Sequence, residues 1–132
     1  MKSVKLENPN EIISKIDFND FYLTKHYIDY DNCYLDKDWI EYTIYYNDIT
    51  NEPLVVIAKR LPDDEIGHIL IVEVNNRFQR NGFGRIALQD YMQSKKYWEL
   101  WSLESSEEFY KKVGFKMDKK SELYIYGFES LC

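Results

Sequence analysis

Residues 79–84, Gln79-Arg80-Asn81-Gly82-Phe83-Gly84, stand between an apolar run and an amphipathic one, and their types suit a phosphate. A chain leaving a strand and entering a helix there exposes unpaired N–H groups at the positive end of the helix dipole. Gly82 and Gly84 carry no side chain that would hold phosphate oxygens away from those groups. Arg80 and Arg85 flank the turn and can add charge-assisted contacts. An ordinary strand-to-helix turn that uses glycine for close packing accounts for the hexamer as well. Two nucleotide motifs do not fit. A P-loop requires Gly-Lys-Ser or Gly-Lys-Thr, and a dinucleotide fold requires three glycines in a longer pattern within a doubly wound sheet.

The elements that must hold this turn follow from periodicity. Residues 1–6 read as a short strand. Asn8, Pro9 and Glu11 mark a helix start, with Asn8 as cap, and that helix ends near Ile16. Asp17 is expected to cap a second helix through Phe21 and Leu23 towards Tyr27. Residues 29–38 form an acidic surface loop. Ile40, Tyr42, Ile44 and Tyr46 then alternate with Glu41, Thr43, Tyr45 and Asn47, as a strand with one inward face requires. A turn at 48–53 leads to a strand at 54–58, and a turn at 62–65 to a nearly continuous apolar strand at 66–74, the pattern of a strand covered on both faces. Residues 82–94 read as a helix burying Phe83, Ala87, Leu88 and Tyr91. A strand at 97–103, a helix at 106–113 and strands at 115–117 and 123–128 complete the chain. Strands in meander order followed by alternation with helices predict an α/β or α+β layer with a mixed sheet, as one domain over residues 1–132.

The length of 132 residues suits a single core, and the apolar share of 45% with 17% aromatics supports a packed globule. The 12 tyrosines are expected to be mostly half-buried strand residues. A net charge of −6 argues against nucleic acid as partner and favours a cation, such as a protonated amine. Cys33 and Cys132 read as unpaired thiols, and His26 and His68 lack the spacing to join them around a metal. No apolar run approaches a bilayer-spanning length and no signal peptide opens the chain, so the expected location is the cytoplasm, without membrane association.

A second segment follows the glycine turn: a strand at 97–103, then Glu107-Glu108-Phe109-Tyr110-Lys111-Lys112-Val113-Gly114-Phe115. Together with Val72-Glu73-Val74 and the turn from Gln79 to Gly84, it resembles the GNAT superfamily of acyl-CoA-dependent N-acetyltransferases. The match spans roughly residues 66–118, in the family's order and spacing. The resemblance implies a central mixed sheet, flanked by helices, in which two parallel strands, 66–74 and 97–103, splay apart. It implies acetyl-CoA as acyl donor and an amine of a small molecule or protein as acceptor. The pantetheine arm would pair with backbone groups of Val72 to Val74. The pyrophosphate would rest on the N–H groups of Gln79, Arg80, Asn81, Gly82, Phe83, Gly84 and Arg85.

By the same resemblance, the amine attacks the thioester directly and a backbone N–H near Val74 polarises the carbonyl. Tyr110 falls where the family often places the acid that protonates the departing thiolate; a core ring is its other reading. For the general base, strict alternation puts His68, Leu70 and Val72 on the face of Val74, with Glu73 opposite. Some members carry a catalytic carboxylate in the register that His68 occupies here, and imidazole as a residue type titrates in the useful range. Glu73 and a water relay are the other candidates. Many relatives have asparagine seven residues before the tyrosine. Leu103 stands there, so that amide's contact is missing or made by Ser105 or Ser106. A non-catalytic acyl-CoA-binding sensor of the same fold is the alternative function. Asp29, Asp31, Asp36 and Asp38 either hold a cationic acceptor or form a solvated face. Trp98, Trp101 and the strand at 123–128 fit a dimer edge or a core, leaving monomer and homodimer open.

Overall fold

In the computed structural model, which describes residues 1–62 and 64–127, the apolar run from Leu54 to Ala58 becomes the middle of strand β3 (Pro53–Arg60). All five side chains are buried, because helices cover both faces of the sheet there. Strands β1 (Lys2–Lys5), β2 (Ile40–Tyr46), β3 and β4 (Ile66–Val74) form an antiparallel meander. Strand β5 (Tyr97–Leu100) runs parallel to β4, and β6 (Lys116–Met117) and β7 (Tyr124–Tyr126) complete a seven-stranded sheet in the order β1-β2-β3-β4-β5-β7-β6. The exposed edge strand β1 carries Lys2 and Lys5, charges that discourage edge-to-edge pairing.

One face is covered by α1 (Ile12–Lys15) and α2 (Tyr22–Tyr30), whose Ile12, Phe21 and Ile28 pack on Tyr42, Ile44, Val56 and Ile71. The other is covered by α3 (Phe83–Tyr91) and α4 (Glu107–Val113), whose Ala87, Leu88, Tyr110 and Val113 pack on Val55, Ile57, Ile69, Trp98 and Leu100. The expected stripe of α3 is therefore the buried one. Asn8 caps the turn that opens α1, its Oδ1 accepting from the Asn10 N–H at 3.0 Å.

Several boundaries differ from the sequence reading. Asp17 caps only a turn, through the Asn19 N–H at 2.9 Å, and α2 starts at Tyr22 on a different cap described below. The strand expected at 97–103 stops at Leu100, where its pairing with both β4 and β7 ends. Trp101 and Leu103 beyond it are 61% and 51% exposed, so neither is a core strand residue. Trp98 is buried, donating from Nε1 to the Met92 and Lys95 carbonyls, and packs the core rather than an outer edge. The helix expected to Ser94 tightens into a 3-10 turn after Tyr91. Phe128 and Cys132 lie outside the described residues.

Candidate active site

Strand β4 is nine residues long but pairs with β5 over only four, from Ile66 with Tyr97 to Ile69 with Leu100. From Leu70 to Val74 its outer edge has no strand partner among the described residues. Free backbone donors and acceptors on a strand edge can take up an extended ligand as an added strand. The same stretch contains a β-bulge: Ala58 pairs with Ile71 and Lys59 with Ile69, which leaves Leu70 without a partner on β3. A bulge shifts alternation by one residue. Leu70 and Ile71 both join the core under α2, whereas Ile69, Val72 and Val74 pack towards α3 and α4.

His68 therefore does not share the face of Val72 and Val74, as strict alternation had it. The inserted residue turns it to the α2 side, the side of Glu73. There its Nδ1 lies 2.9 Å from Oε1 of Glu99, its neighbour on β5, with the imidazole 11% exposed and the carboxylate 29%. A carboxylate at Nδ1 fixes the ring's orientation and leaves Nε2 as the outward nitrogen. The pair sits one residue before the two strands part.

Glu73 is occupied elsewhere. The N–H groups of Leu23 and Thr24 and the Thr24 hydroxyl donate to its carboxylate, each at 2.7 Å. These are orphan donors at the start of α2, so Glu73 is that helix's cap, supplied from a strand about fifty residues away in the chain. Its oxygens face the helix start and not the gap beside β5.

Tyr110 is 8% exposed, on the α4 side, with its ring edge-on to Phe109 and Phe115. Burial pushes its phenol above the ordinary value, and the Tyr27 phenol adds to the shift. Tyr27 belongs to α2, on the other face of the sheet. Burial keeps the phenol protonated, so it can serve only as a donor, while the same shift makes it a weaker acid.

The glycine turn lies at the end of β4. Asn75, 1% exposed, fixes the exit: its N–H donates to the Leu54 carbonyl at 2.8 Å, its Nδ2 to the Pro53 carbonyl, and its Oδ1 accepts from the Arg77 N–H. Arg80 and Gly82 take positive φ, 69° and 79°, a conformation that glycine adopts without strain. No side chain caps α3, and its first intrahelical bond runs from the Ile86 N–H to the Gly82 carbonyl. The N–H groups from Gly82 to Arg85 are thus left over, at the positive end of the helix. A Cβ on Gly82 would meet no atom within 4 Å, whereas one on Gly84 would stand 2.8 Å from Val74 Cγ2 and 3.4 Å from the Phe109 ring. Gly82 opens the cradle and Gly84 seats α3 against β4. Arg80, Asn81 and Arg85 are exposed around it, and neither arginine makes an ion pair among the described residues.

Tetrahymena GCN5 matches this architecture with a TM-score of 0.70 at 15% identity, over 96% of this chain and 95% of that one. The fold is that of the GNAT acetyltransferases. Other GNAT structures agree: YhhK of E. coli bound to coenzyme A, at 0.65 and 16% over 95% and 96% of the chains, and the PaiA N-acetyltransferase of Thermoplasma acidophilum in complex with coenzyme A, at 0.60 and 13% over 95% and 97%. No protein-family model matches the sequence, and no curated protein does.

Among the residues singled out from the sequence, Val72 and Val74 lie on the unpaired stretch of β4, Gln79–Arg85 form the turn that follows it, His68 sits on the α2 face one residue before β5 departs, Tyr110 lies on the α4 face, and Glu73 is engaged by the start of α2. Sequence reasoning missed the pairing of Glu99 with His68. The signal for Glu99 was its place in the strand after the glycine helix, but only the β4–β5 register sets it beside His68. The acidic run is largely spent on local structure: Asp29 pairs with Lys25 at 2.6 Å, Asp31 caps Cys33, and Asp36 accepts from the Asp38 N–H.

Proposed function

We propose that the protein is an N-acetyltransferase that passes the acetyl group of acetyl-CoA to a primary amine of a small molecule or protein. The observation that carries this reading is the parting of β4 from β5 beside an uncapped, glycine-opened start of α3. Acetyl-CoA supplies the acetyl group as a thioester. The amides from Gly82 to Arg85 hold its pyrophosphate, with Arg80 and Arg85 adding charge, and the free edge from Leu70 to Val74 orders the pantetheine arm. His68 takes the proton of the incoming amine on Nε2, held in place by Glu99 at Nδ1. Tyr110 donates its phenolic proton to the sulfur as the C–S bond breaks and the C–N bond forms. The products are an amide and the free thiol.

Two measurements on the intact chain test this. Acetyl-CoA at about 100 times its dissociation constant should stabilise the fold by roughly 2.7 kcal/mol, read as a raised melting temperature. An amine library should then show thiol release from acetyl-CoA with at least one acceptor. No melting shift up to millimolar acetyl-CoA would remove the binding site itself. A shift without thiol release from any amine would favour a sensor over an enzyme.

A further inference from the structure

Helix α2 and the turn after it carry a row of aromatic rings on the α2 face of the sheet. Glu73 fixes the start of α2 on β4 through Thr24, and Tyr27, three residues on, lies on the same side of the helix. Tyr27 and Leu70, both half-buried, pack on one apolar cluster beneath α2. Tyr110, whose proton affinity is raised chiefly by burial, feels the Tyr27 phenol as well. The row runs on from there: Tyr27 stacks on Tyr34, with ring centroids 5.1 Å apart and planes 19° apart, and Tyr34 meets Trp39 edge-on at 5.2 Å. The Tyr42 hydroxyl donates to the Tyr34 carbonyl at 2.9 Å and holds that turn in place. Tyr42 serves the core and is fully buried, whereas Tyr27, Tyr34 and Trp39 all stay partly exposed.

The charges around the row decide what it suits. Burial raises the Tyr34 phenol above its ordinary value, Tyr27 and Asp31 add to the shift, and Arg60 opposes it, so Asp31 and Arg60 offset one another there. Asp36, Lys37 and Asp38 are exposed, where water screens them. His26, also exposed, stands edge-on to Tyr27 at 5.9 Å. Aromatic surface without surplus charge takes a flat apolar body rather than a second ammonium. A single amine nitrogen is provided for by His68 and Glu99, on the same face of the sheet, two residues or about 7 Å before Leu70 along β4.

We propose that the acetyl acceptor is an arylalkylamine, its ring lying against Tyr27, Tyr34 and Trp39 and its nitrogen reaching His68. The assignment rests on the acetyl-transfer reading given above and adds to it the class of amine. The nitrogen gives its proton to His68 Nε2 and attacks the thioester, so that the N-acetyl arylalkylamine and the free thiol are formed.

Thiol release from acetyl-CoA by the full chain, compared for phenethylamine, spermidine and glucosamine, tests the assignment. Phenethylamine should exceed the other two in kcat/KM by about tenfold or more, since a ring-on-ring contact is worth up to about tenfold. Tyr34→Leu removes the ring and keeps an apolar side chain; it should raise KM for phenethylamine about fivefold with kcat within about twofold, and Tyr34→Phe should keep the wild-type KM. Circular dichroism checks that both variants fold, and Trp39→Leu takes the place of Tyr34→Leu if that variant does not. A second readout needs no turnover: in ligand-observed NMR with coenzyme A present, phenethylamine should bind about tenfold more tightly than ethylamine. The acceptor class is overturned if spermidine or glucosamine serves as well as phenethylamine, if the ring-deleting variant leaves KM unchanged, or if ethylamine binds as tightly. Thiol release from no amine at all would remove acetyl transfer itself, and the acceptor with it.

Discussion

Replacing Glu73 separates a helix cap from a catalytic base. In Glu73→Ala three donors at the start of α2 lose their acceptor at once: the Leu23 N–H, the Thr24 N–H and the Thr24 hydroxyl. Thr24 is fully buried, so water cannot replace the carboxylate at its two donors. A buried donor left unsatisfied costs about 1–3 kcal/mol, and the half-buried Leu23 N–H, which water can reach, costs less. The hydroxyl can rotate towards another acceptor, so the sum is about 3 kcal/mol rather than the upper limit. For a chain of this size that lowers the melting temperature by about 10 °C. Glu73→Gln keeps one carbonyl oxygen and the volume, and should cost only about 1 kcal/mol. The assay is thermal unfolding by circular dichroism, paired with transfer rates at a temperature where every variant is folded. In a double-mutant cycle with Thr24→Val, the losses should fall short of additivity by about 1 kcal/mol. If Glu73→Ala melted within about 2 °C of wild type and yet abolished transfer, the cap argument would fail and the carboxylate would be part of the chemistry.

Other expectations follow from the same geometry. Tyr110→Phe should bind acetyl-CoA as the wild type does and transfer about a hundredfold more slowly; an unchanged turnover rate would take the phenol out of the acid role. In Gly84→Ala the gain in helix propensity of about 1 kcal/mol is outweighed by an overpacking cost of about 1–3 kcal/mol, because the new methyl meets Val74 and Phe109. The net loss should be visible in urea unfolding together with weaker coenzyme A binding, and a stabilised variant would contradict the packing of α3 on β4. Burial raises the phenols of Tyr42, Tyr45 and Tyr110 above their ordinary value of 10.0, so above that pH the unfolded chain releases protons that the folded one retains. Stability contributed by these rings is complete below pH 10.0 and should fall steadily above it. A urea midpoint that stayed level between pH 9.5 and about 11.5 would refute that sign.

The legible parts of the fold are those set by neighbours in the chain. The stripe of Ala87 and Leu88, the Asn8 cap and the glycine turn depend on contacts a few residues apart, and each stands where its pattern put it; Ile40, Tyr42 and Ile44 are buried as expected, but Thr43 and Tyr45 on the face expected to point outward are buried too, because the sheet is covered on both sides. The phosphate cradle proposed above would belong to the same class, because its donors are the amides of consecutive residues.

What tertiary structure decided is every feature that needs two distant segments in register. The bulge at Leu70 shows only in the pairing of β3 with β4, and no residue type in 66–74 announces it. That one unpaired residue turns His68 away from Val72 and Val74 and onto Glu99. Likewise, Glu73 became a cap because α2 packs over β4, and the strand after Tyr97 ended at Leu100, where it parts from β4 although β4 runs on to Val74. Side-chain direction in a strand has a period of two, so a single insertion inverts it, and only pairing across the sheet determines where that insertion falls.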